Sequence, residues 1–367
     1  MFDTMKTAML YDYINITDEA LSHFSANPNY LRAGQSAYLQ QTAEEKQQKI
    51  YLPQVQVSCI VQPGKKAYKE LRVEFSAPKL LYGNNLVELS EDDFPKLVDK
   101  LAEKLALMGI LVDKSIIESS TVVKLHSGKN IDLTGKISCM TLTSVLQTIP
   151  VPKNLDTSYT KFKNGGEAYM IHTSDYELSV YDKLCELQKS GSKVLENVDG
   201  MVKEVDLSES IINKGIKRIV RYEYRLNTKE AIKKVFAAAK IESDLTLKDV
   251  FKADIARRMN LYAWDKYIAP HMVYAKIARV KILTLIDVAI EKDIPRGRLS
   301  DIIMVRYLSG HGGMQKLKDR YPNFNIEVKR IQEYIEKMGL KEQGVGKTLR
   351  YIRKTLDENV PFSMGAY

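Results

Sequence analysis

The first two thirds of the chain contain short segments in which apolar and polar residues alternate, which is the pattern of a β-strand with one buried face. Two such segments lie within residues 51–64, where Gly64 ends the first, and within residues 70–77, where Pro78 interrupts the second. Their apolar positions are Val55, Val57 and Cys59, and then Leu71, Val73 and Phe75. Arg72, Glu74 and Ser76 occupy the opposite face of the second segment. We therefore predict two strands, the second with one apolar and one polar face.

Further stretches predict strands on the same grounds. Residues 168–183 predict two short strands or one bent strand, with a turn near Asp175. Residues 121–126 divide into two faces, Thr121, Val123 and Leu125 against Val122, Lys124 and His126. Residues 217–227 divide likewise into Arg221, Glu223 and Arg225 against Tyr222, Tyr224 and Leu226.

Helical patterns interrupt these strands. Ser90 followed three residues later by Asp93 resembles a capping box, which begins helices. The apolar positions behind it recur at helical spacing, at Phe94, Leu97, Val98, Leu101 and Leu105. We predict an amphipathic helix that ends near Gly109. A second helix is predicted over residues 184–190, followed by an acidic linker over residues 196–210.

From Thr228 onward, the apolar spacing is helical, in segments separated by Gly, Pro and Asn. We therefore predict an α+β fold with two domains. Residues 1–235 form a domain built on an antiparallel sheet, and residues 236–367 form an all-helical C-terminal domain. The first 50 residues are weakly patterned, and we expect them to be a peripheral N-terminal extension of the first domain.

Charge is distributed unevenly between these domains. The chain has 55 Lys and Arg against 46 Asp and Glu, a net charge of +9. Residues 1–235 hold 31 basic and 30 acidic side chains, whereas residues 236–367 hold 24 and 16. Nearly all of the excess positive charge therefore lies in the helical third, as is typical of a surface that binds a polyanion. A basic helical surface without a partner is the alternative.

Composition narrows the class of protein. With 44% hydrophobic and 28% charged residues, the chain is globular and not disordered. The three cysteines, Cys59, Cys139 and Cys185, are far apart, which argues against a disulfide framework or a thiolate zinc site and favours a reducing compartment. No segment reaches the roughly 18 apolar residues of a membrane span. We expect a cytoplasmic protein that is neither exported nor anchored.

The polar faces of the predicted strands carry side chains that could do chemistry. They are Glu74 and Ser76, Lys124 and His126, Tyr181 and Lys183, and Arg221, Glu223 and Arg225. In an antiparallel sheet covered by helices on its back, these side chains would share one open face. Such a face could support metal-assisted phosphoryl transfer. An ordinary solvated face is the alternative interpretation.

Four segments, in this order and spacing, resemble those of the replication initiation proteins of filamentous phages and related plasmids, the phage gene II/X family. They are LRVEFSAPKLLYGNNLVEL, VVKLHSGKNI, ELSVYDKLCEL and VRYEYRL, and the resemblance covers about residues 70–235. It implies a rolling-circle replication initiator with a nickase-like catalytic domain. Such an endonuclease nicks one DNA strand at the origin through a tyrosine, forms a 5′-phosphotyrosyl intermediate and later rejoins the strand.

The resemblance assigns roles to particular residues. Tyr181 lies in the segment YDK, which matches the YxK segment of the family, and is the predicted nucleophile. Lys183, expected on the same strand face, would activate the phenol or hold the phosphate. Tyr222, Tyr224 and Tyr176 remain alternative nucleophiles.

The same chemistry implies a divalent cation, Mg²⁺ or Mn²⁺, that neutralises the scissile phosphate. Glu74, His126 and Glu223 are the predicted ligands, although the family leads us to expect an Asp where this chain has His126. The two-histidine HxH motif of the large tyrosine-nickase superfamily is absent. No two of the five histidines lie two residues apart; they are His23, His126, His172, His271 and His311.

The predicted DNA contacts are cations, which would meet phosphates first and bases second. They are Lys124, Arg221, Arg225, Arg257, Arg258, Lys276, Arg279, Lys281, Arg296, Arg298 and Arg306. The expected partner is origin DNA, as duplex and as single strand, with a host helicase and polymerase acting after the nick and no membrane involved. An origin-binding or regulatory protein of a phage or plasmid that does not cleave DNA is the alternative function.

Overall fold

The computed structural model describes residues 1–41, 51–61, 63–64, 66–149, 151–152, 154–190, 193–198, 201–272, 280–310, 324–340 and 344–362. These residues form an α+β structure with thirteen strands and fourteen α-helices, which confirms the predicted fold class. No described helix is both long enough and apolar enough to cross a membrane.

The strands are β1 (Phe2–Leu10), β2 (Asn15–Ile16), β3 (Ser36–Tyr38), β4 (Gln54–Ile60), β5 (Tyr68–Ser76), β6 (Ile110–Leu111), β7 (Thr121–Asp132), β8 (Asp156–Lys161), β9 (Glu167–His172), β10 (Tyr176–Asp182), β11 (Lys193–Val198), β12 (Met201–Asp206) and β13 (Ile219–Leu226). Nine of them form one sheet in the order β3-β4-β5-β1-β7-β13-β10-β9-β8. Each strand pair of this sheet whose register is described is antiparallel. The predicted antiparallel sheet is therefore confirmed. Two small antiparallel pairs, β2 with β6 and β11 with β12, lie outside it.

The helices are α1 (Asp18–Ser22), α2 (Ala77–Tyr82), α3 (Phe94–Leu107), α4 (Lys114–Ser119), α5 (Cys139–Leu146), α6 (Lys183–Ser190), α7 (Leu207–Asn213), α8 (Lys229–Ala238), α9 (Leu247–Val250), α10 (Ala253–Tyr267), α11 (Ile282–Glu291), α12 (Arg296–Gly310), α13 (Phe324–Lys337) and α14 (Gly344–Glu358). The described elements after β13 are all helical, as the apolar spacing from Thr228 onward predicts.

The chain forms two compact units, each made of several segments. Unit 1 comprises Met1–Lys129, Tyr224–Met259 and Asn359–Tyr367, and unit 2 comprises Asn130–Glu223 and Asn260–Glu358. Both units take residues from each side of position 235. The domain boundary predicted at that position stays a prediction.

Local patterns predicted several elements of unit 1 correctly. β4 and β5 bury the predicted apolar positions, Val55, Val57, Cys59, Leu71, Val73 and Phe75. The capping box before α3 is present, with Asp93 accepting a hydrogen bond of 2.8 Å from the backbone N–H of Ser90. Helix α3 buries Leu97, Val98, Leu101 and Leu105. It stops before Gly109, whose φ of +72° and close contact with Thr17 both favour glycine.

The structure corrects the prediction made for the first residues of the chain. We expected the first 50 residues to be a peripheral extension, but β1 pairs with β5 on one side and with β7 on the other. In β1, neighbouring residues on opposite faces are both buried, as at Ala8 and Met9, so its sequence does not alternate. Register shifts between Phe2 and Met5 and between Lys6 and Thr7 disturb the pattern further.

The faces predicted for β7 are also wrong. Lys6 pairs with Lys124 while Thr7 pairs with Val122, so Val123 is an extra residue at a bulge. Val122 and Leu125 are buried together in the core, whereas Val123 lines a cavity beside Lys124. A bulge moves every later side chain to the other face, which simple alternation cannot anticipate. The acidic linker predicted over residues 196–210 is wrong as well, because β12 and α7 occupy most of it.

A buried ion pair fixes the C-terminal segment of unit 1. Lys129 donates a hydrogen bond of 2.7 Å to Oε2 of Glu88, and the two side chains are 1% and 4% exposed. The backbone N–H of Phe362 donates to the same oxygen over 3.0 Å, and Lys129 also donates to the carbonyl oxygen of Val360. Glu88 therefore joins the end of the chain to β7.

We predict that Glu88→Ala lowers the free energy of unfolding by about 3–5 kcal/mol, because it leaves a buried ammonium without its carboxylate. Denaturant unfolding of the full chain measures the loss. The matched control is Glu103→Ala, which removes an exposed glutamate paired with Lys100 at 2.9 Å and should leave the midpoint nearly unchanged. Equal midpoints for the two variants would contradict the structural role of Glu88.

Candidate active site

Tyr181 lies near the end of β10, where it pairs with Ala168 of β9. Its hydroxyl donates a hydrogen bond of 3.4 Å to Oε2 of Glu223 on β13. Tyr181 is half-buried, whereas Glu223 is 2% exposed. Within unit 2, the structure therefore places a proton acceptor beside the phenol that the sequence predicts as nucleophile.

A cation accompanies the carboxylate of Glu223. Arg221 Nε lies 3.6 Å from Glu223 Oε2, and Arg221 Nη1 donates to Oδ1 of Asn130 over 3.0 Å. Arg221 is also 2% exposed, because β13 is covered on both faces. Its positive charge offsets the cost of burying the carboxylate. The predicted placement of Arg221 on an open, DNA-facing surface is therefore wrong.

The prediction that Lys183 shares a strand face with Tyr181 is wrong. β10 ends at Asp182, and Lys183 is the first residue of α6. Asp182 Oδ1 accepts a hydrogen bond of 3.0 Å from the backbone N–H of Cys185, the contact that begins a helix. The buried ammonium of Lys183 donates to Oε2 of Glu186 over 2.6 Å. A role for Lys183 in catalysis stays a prediction.

The alternative tyrosines differ in their access to a substrate. Tyr222 and Tyr224 are each 1% exposed. The hydroxyl of Tyr222 donates to the carbonyl oxygen of Asn260 over 3.2 Å, and burial raises the pKa of this phenol well above its ordinary value. Such a phenol is a poor nucleophile. Tyr176, on the same strand as Tyr181, is half-buried like Tyr181, so these two of the four candidates retain some exposure to solvent.

Glu74, in unit 1, has a lysine at each of its oxygens. Lys124 Nζ donates to Oε1 over 2.5 Å, and Lys6 Nζ lies 3.7 Å from Oε2. The register explains both contacts, because Lys6 of β1 lies opposite Glu74 of β5 and opposite Lys124 of β7. Opposite charges on neighbouring strands attract. Glu74 therefore holds two ammonium groups close together.

These three side chains line an open cavity of about 550 Å³ in unit 1. Its lining contains four cations and two carboxylates, an excess of two positive charges. We call this cavity the cationic pocket, after its charged residues Lys6, Glu70, Arg72, Glu74, Lys124 and Lys229. Arg72 pairs with Glu70 at 3.1 Å. Tyr68, Asn227 and Thr228 add polar groups to the lining.

The pKa of Lys6 is lower than its ordinary value. Burial is the largest cause, because it removes water from the ammonium; Glu74 opposes the shift, and repulsion from Arg72 and Lys124 adds to it. Cations that crowd one cavity attract an anion, which relieves their repulsion. The cationic pocket therefore has the charge to bind phosphate groups.

The predicted metal ligands do not form a recognisable metal site. His126 is buried in unit 1, with its Nε2 3.3 Å from Oδ1 of Asn227. No group of three or more His, Cys, Asp and Glu side chains among the described residues could hold a metal ion. The lysines at both oxygens of Glu74 also occupy the positions that a metal would need. These side chains do not fit a metal bound by three ligands, and the ligand set Glu74, His126 and Glu223 stays a prediction.

Several predicted DNA contacts outside the cationic pocket have protein partners. Four arginines pair with carboxylates or backbone carbonyls: Arg257 with Asp254 at 2.8 Å, Arg258 with Ala239 at 2.9 Å, Arg298 with Asp301 at 3.2 Å, and Arg306 with Val280 at 3.0 Å. Lys281 and Arg296 are exposed, and Arg225 is half-buried. Lys276 and Arg279 lie outside the described residues. The charge excess of the helical third thus includes arginines with structural contacts.

Sequence reasoning missed several residues of the cationic pocket. Lys6 gave no signal, because β1 lacks a strand pattern. Arg72 was visible on the polar face of its strand beside Glu74, but nothing distinguished it from a solvated side chain. Lys229 follows the N-cap residue Thr228 of α8, and only the tertiary structure brings it to the pocket.

Comparison with known families identifies the family of the chain. The family model for the N-terminal region of the gene II replication-associated protein of phages matches residues 21–248, which is more than half of the chain. This match confirms the resemblance to the gene II family that the four sequence segments indicate. No curated protein and no solved structure gives a significant match to the chain.

We predict that Glu74→Gln increases the affinity for a short single-stranded oligonucleotide at low salt. The change removes one negative charge from the cationic pocket with little change in shape. The gain should be roughly fivefold or more, since two unit charges 4 Å apart interact by about 1 kcal/mol in water and more strongly near a protein surface. Fluorescence anisotropy of a labelled oligonucleotide measures the change.

The control is Glu103→Gln, which removes the same charge from the exposed surface of α3 and should change the affinity much less. Weaker binding by Glu74→Gln would instead mean that Glu74 is needed to position the lysines or a metal. It would contradict the assignment of the pocket as a simple anion site.

Proposed function

Because the chain belongs to the family of phage replication-associated proteins, we propose that it starts rolling-circle replication by nicking one DNA strand and later rejoining it. Family membership supports a replication initiator that acts on DNA. The nicking mechanism is our inference, and the observation that carries it is the hydrogen bond between Tyr181 and Glu223. A nucleophile with an adjacent proton acceptor is the arrangement that covalent catalysis requires.

In the proposed reaction, the hydroxyl oxygen of Tyr181 attacks the phosphorus of the scissile phosphodiester. The phenol proton passes to Glu223 Oε2, 3.4 Å away. The bond between phosphorus and the 3′ oxygen breaks, and that oxygen takes up a proton from solvent. The products are a 5′-phosphotyrosyl bond and a free 3′ hydroxyl, which a host polymerase can extend while a helicase opens the duplex.

Rejoining reverses these steps. A 3′ hydroxyl attacks the phosphotyrosyl phosphorus and gives its proton to solvent, while the tyrosine oxygen leaves and recovers its proton from Glu223. The phosphotyrosyl bond conserves the energy of the phosphodiester, so the strand can be closed without ATP. The positive charge of Arg221 stays beside Glu223 in both the cleavage and the rejoining reaction.

The cationic pocket gives unit 1 a role in the same proposal. Its lysines and arginines would bind phosphates of single-stranded DNA, and Tyr68 provides an aromatic ring among them. Proteins that bind single strands without regard to sequence combine these two features, a positive groove and aromatic side chains. The pocket would thus hold the strand without reading its bases.

A divalent cation, Mg²⁺ or Mn²⁺, remains part of the proposal as a requirement to be tested. Such an ion would neutralise the charge that develops on the scissile phosphate. The predicted ligands are Glu74, His126 and Glu223, but the described side chains do not form a three-ligand group. Every step above is therefore assigned to the residues of the chain itself.

The cationic pocket also favours a second candidate function, because it can bind DNA whether or not the chain cleaves it. A protein that binds the origin and does not cleave it needs neither a metal nor a nucleophile, and it would keep the fold and the cationic pocket. A covalent adduct between the chain and the 5′ end of a cleaved strand distinguishes the two functions, because only the nickase forms it.

We predict that Tyr181→Phe abolishes the covalent adduct and lowers the nicking rate by a factor on the order of 10³ or more. Binding of the same DNA should stay within about threefold, since the ring that packs in β10 is retained. The measurement is denaturing electrophoresis after incubation with labelled single strands tiled across the replicating DNA.

Tyr176→Phe is the matched control, because it makes the same change at another half-buried position of β10. It should nick at the wild-type rate. An adduct that persists in Tyr181→Phe and disappears in Tyr176→Phe would transfer the nucleophile to Tyr176. If both variants still form the adduct, neither Tyr181 nor Tyr176 is the nucleophile.

We further predict that EDTA stops cleavage and that Mn²⁺ or Mg²⁺ restores it. Glu223→Gln distinguishes two roles of this carboxylate. If Glu223 accepts the phenol proton, the variant should be slower by roughly 10²–10⁴ at every metal concentration. If Glu223 is mainly a ligand, high metal concentrations should restore the rate. Cleavage that continues unchanged in chelator would exclude the metal requirement.

A further inference from the structure

Two consecutive helices of unit 2, α11 and α12, are joined by a tight turn of four residues, 292–295. Asp293 adopts a left-handed conformation, with φ of +49°. Its N–H donates to the carbonyl of Ile290 over 3.2 Å, and the N–H of Ile294 donates to the carbonyl of Ala289 over 2.9 Å. This pair of hydrogen bonds is the Schellman motif, which ends a helix and reverses the chain sharply.

The next helix begins at once after this turn. The carbonyl oxygen of Pro295 accepts from the N–H groups of Arg298 and Leu299, over 2.8 and 3.0 Å. The turn therefore belongs to both helices and fixes their relative direction. A turn of three or four residues between two helices is the connection found in the helix-turn-helix motif.

A common apolar core holds the two helices against a third. Helix α11 packs on α12, and α12 packs on α13. The core contains Leu285 and Ala289 from α11, Ile302 and Val305 from α12, and Ile331 and Ile335 from α13. Ile294 of the turn packs against the same core. The small side chain of Ala289 lets the helices approach closely near the turn.

The opposite face of α12 is exposed. Its outward residues recur at helical spacing and are Arg296, Ser300, Met304 and Tyr307. They extend over about 16 Å of helix, which matches about five base pairs at 3.4 Å per pair. Arginine and serine are side chains that read base edges in the major groove, and apolar groups contact the thymine methyl.

The beginning of α12 carries cations where a helix prefers anions. Arg296 and Arg298 lie in its first turn, which contains no acidic residue, although the N-terminus of a helix is its positive end. Arg298 is held by Asp301 at 3.2 Å and lies over the ring of Tyr334 at 5.9 Å. Arg306 donates to the carbonyl of Val280. Arg298 and Arg306 brace the unit, and Arg296 is left on the outward face.

We infer that α11 and α12 are a helix-turn-helix unit that binds duplex DNA, with α12 lying in the major groove as the recognition helix. The N-terminal residues of a recognition helix contact the base edges, which assigns base contacts to Arg296 and Ser300. The unit goes beyond the nicking chemistry, since it gives the chain a means of finding one site in a duplex. It rests on the proposed function only in that a replication initiator must select an origin.

The test uses the full chain and a library of random-sequence duplexes. Repeated selection with the wild-type chain should enrich one sequence motif. Arg296→Ala should bind the enriched duplex roughly 5- to 150-fold less tightly and lose its preference at one or two base positions. Ser300→Ala should change the preference at a neighbouring position. Both residues are exposed, and unfolding midpoints should confirm that the variants remain folded.

Lys354→Ala is the matched control. It removes an exposed cation from α14, where Lys354 pairs only at the surface with Glu358 at 3.4 Å, and should keep the motif and bind within about twofold. Enrichment of no motif by the wild-type chain would overturn the inference. The inference would also fail if Arg296→Ala kept the wild-type motif and affinity. It would fail as well if Arg296→Ala lowered the affinity for single-stranded and duplex DNA by the same factor.

The outcome is separable from that of the proposed function. Tyr181→Phe should enrich the same motif as the wild type, because it alters only the nucleophile. Arg296→Ala should still form the covalent adduct with single-stranded DNA. If the wild-type chain forms no adduct but still enriches the motif, nicking is refuted and the helix-turn-helix inference is retained.

Discussion

The pairing of β1 with β5 on one side and β7 on the other is the constraint on which unit 1 depends. It sets Lys6 of β1 opposite both Glu74 of β5 and Lys124 of β7, so that one carboxylate contacts lysines from two other strands. The bulge at Val123 then turns the neighbouring residue toward the same cavity. Without this register, Lys6, Arg72 and Lys124 would not lie on one sheet face and would not act together on a phosphate.

The constraint in unit 2 is different, because a carboxylate must remain charged while it is buried inside a sheet. β13 is covered on both faces, so Glu223 needs a partner to offset the cost of burial. Arg221 is that partner and is itself held by Asn130, and the half-buried phenol of Tyr181 donates a hydrogen bond to the carboxylate. The consequence is a proton acceptor held in one position, which suits a reaction that must run forward and backward.

The helical third divides its cations between structure and surface. Arg298 and Arg306 hold α12 in place, whereas Arg296 lies outward with Ser300, Met304 and Tyr307. A net charge counts these side chains alike, although only an exposed one can release counterions from DNA. The position of an arginine relative to the apolar core therefore decides whether it contributes to recognition.

The sequence by itself determined the elements whose signals are local. Alternation located β4 and β5, the capping box located the start of α3, and four segments indicated the family. What only the tertiary structure decided depends on contacts between residues far apart in the chain. The central place of β1, the bulge in β7, the burial of Arg221 and the end of β10 at Asp182 each follow from pairing, packing or capping that overrides alternation. Glu74 shows the difference most clearly: its residue type suggested a metal ligand, but the two lysines that register brings to it make it part of an anion-binding pocket.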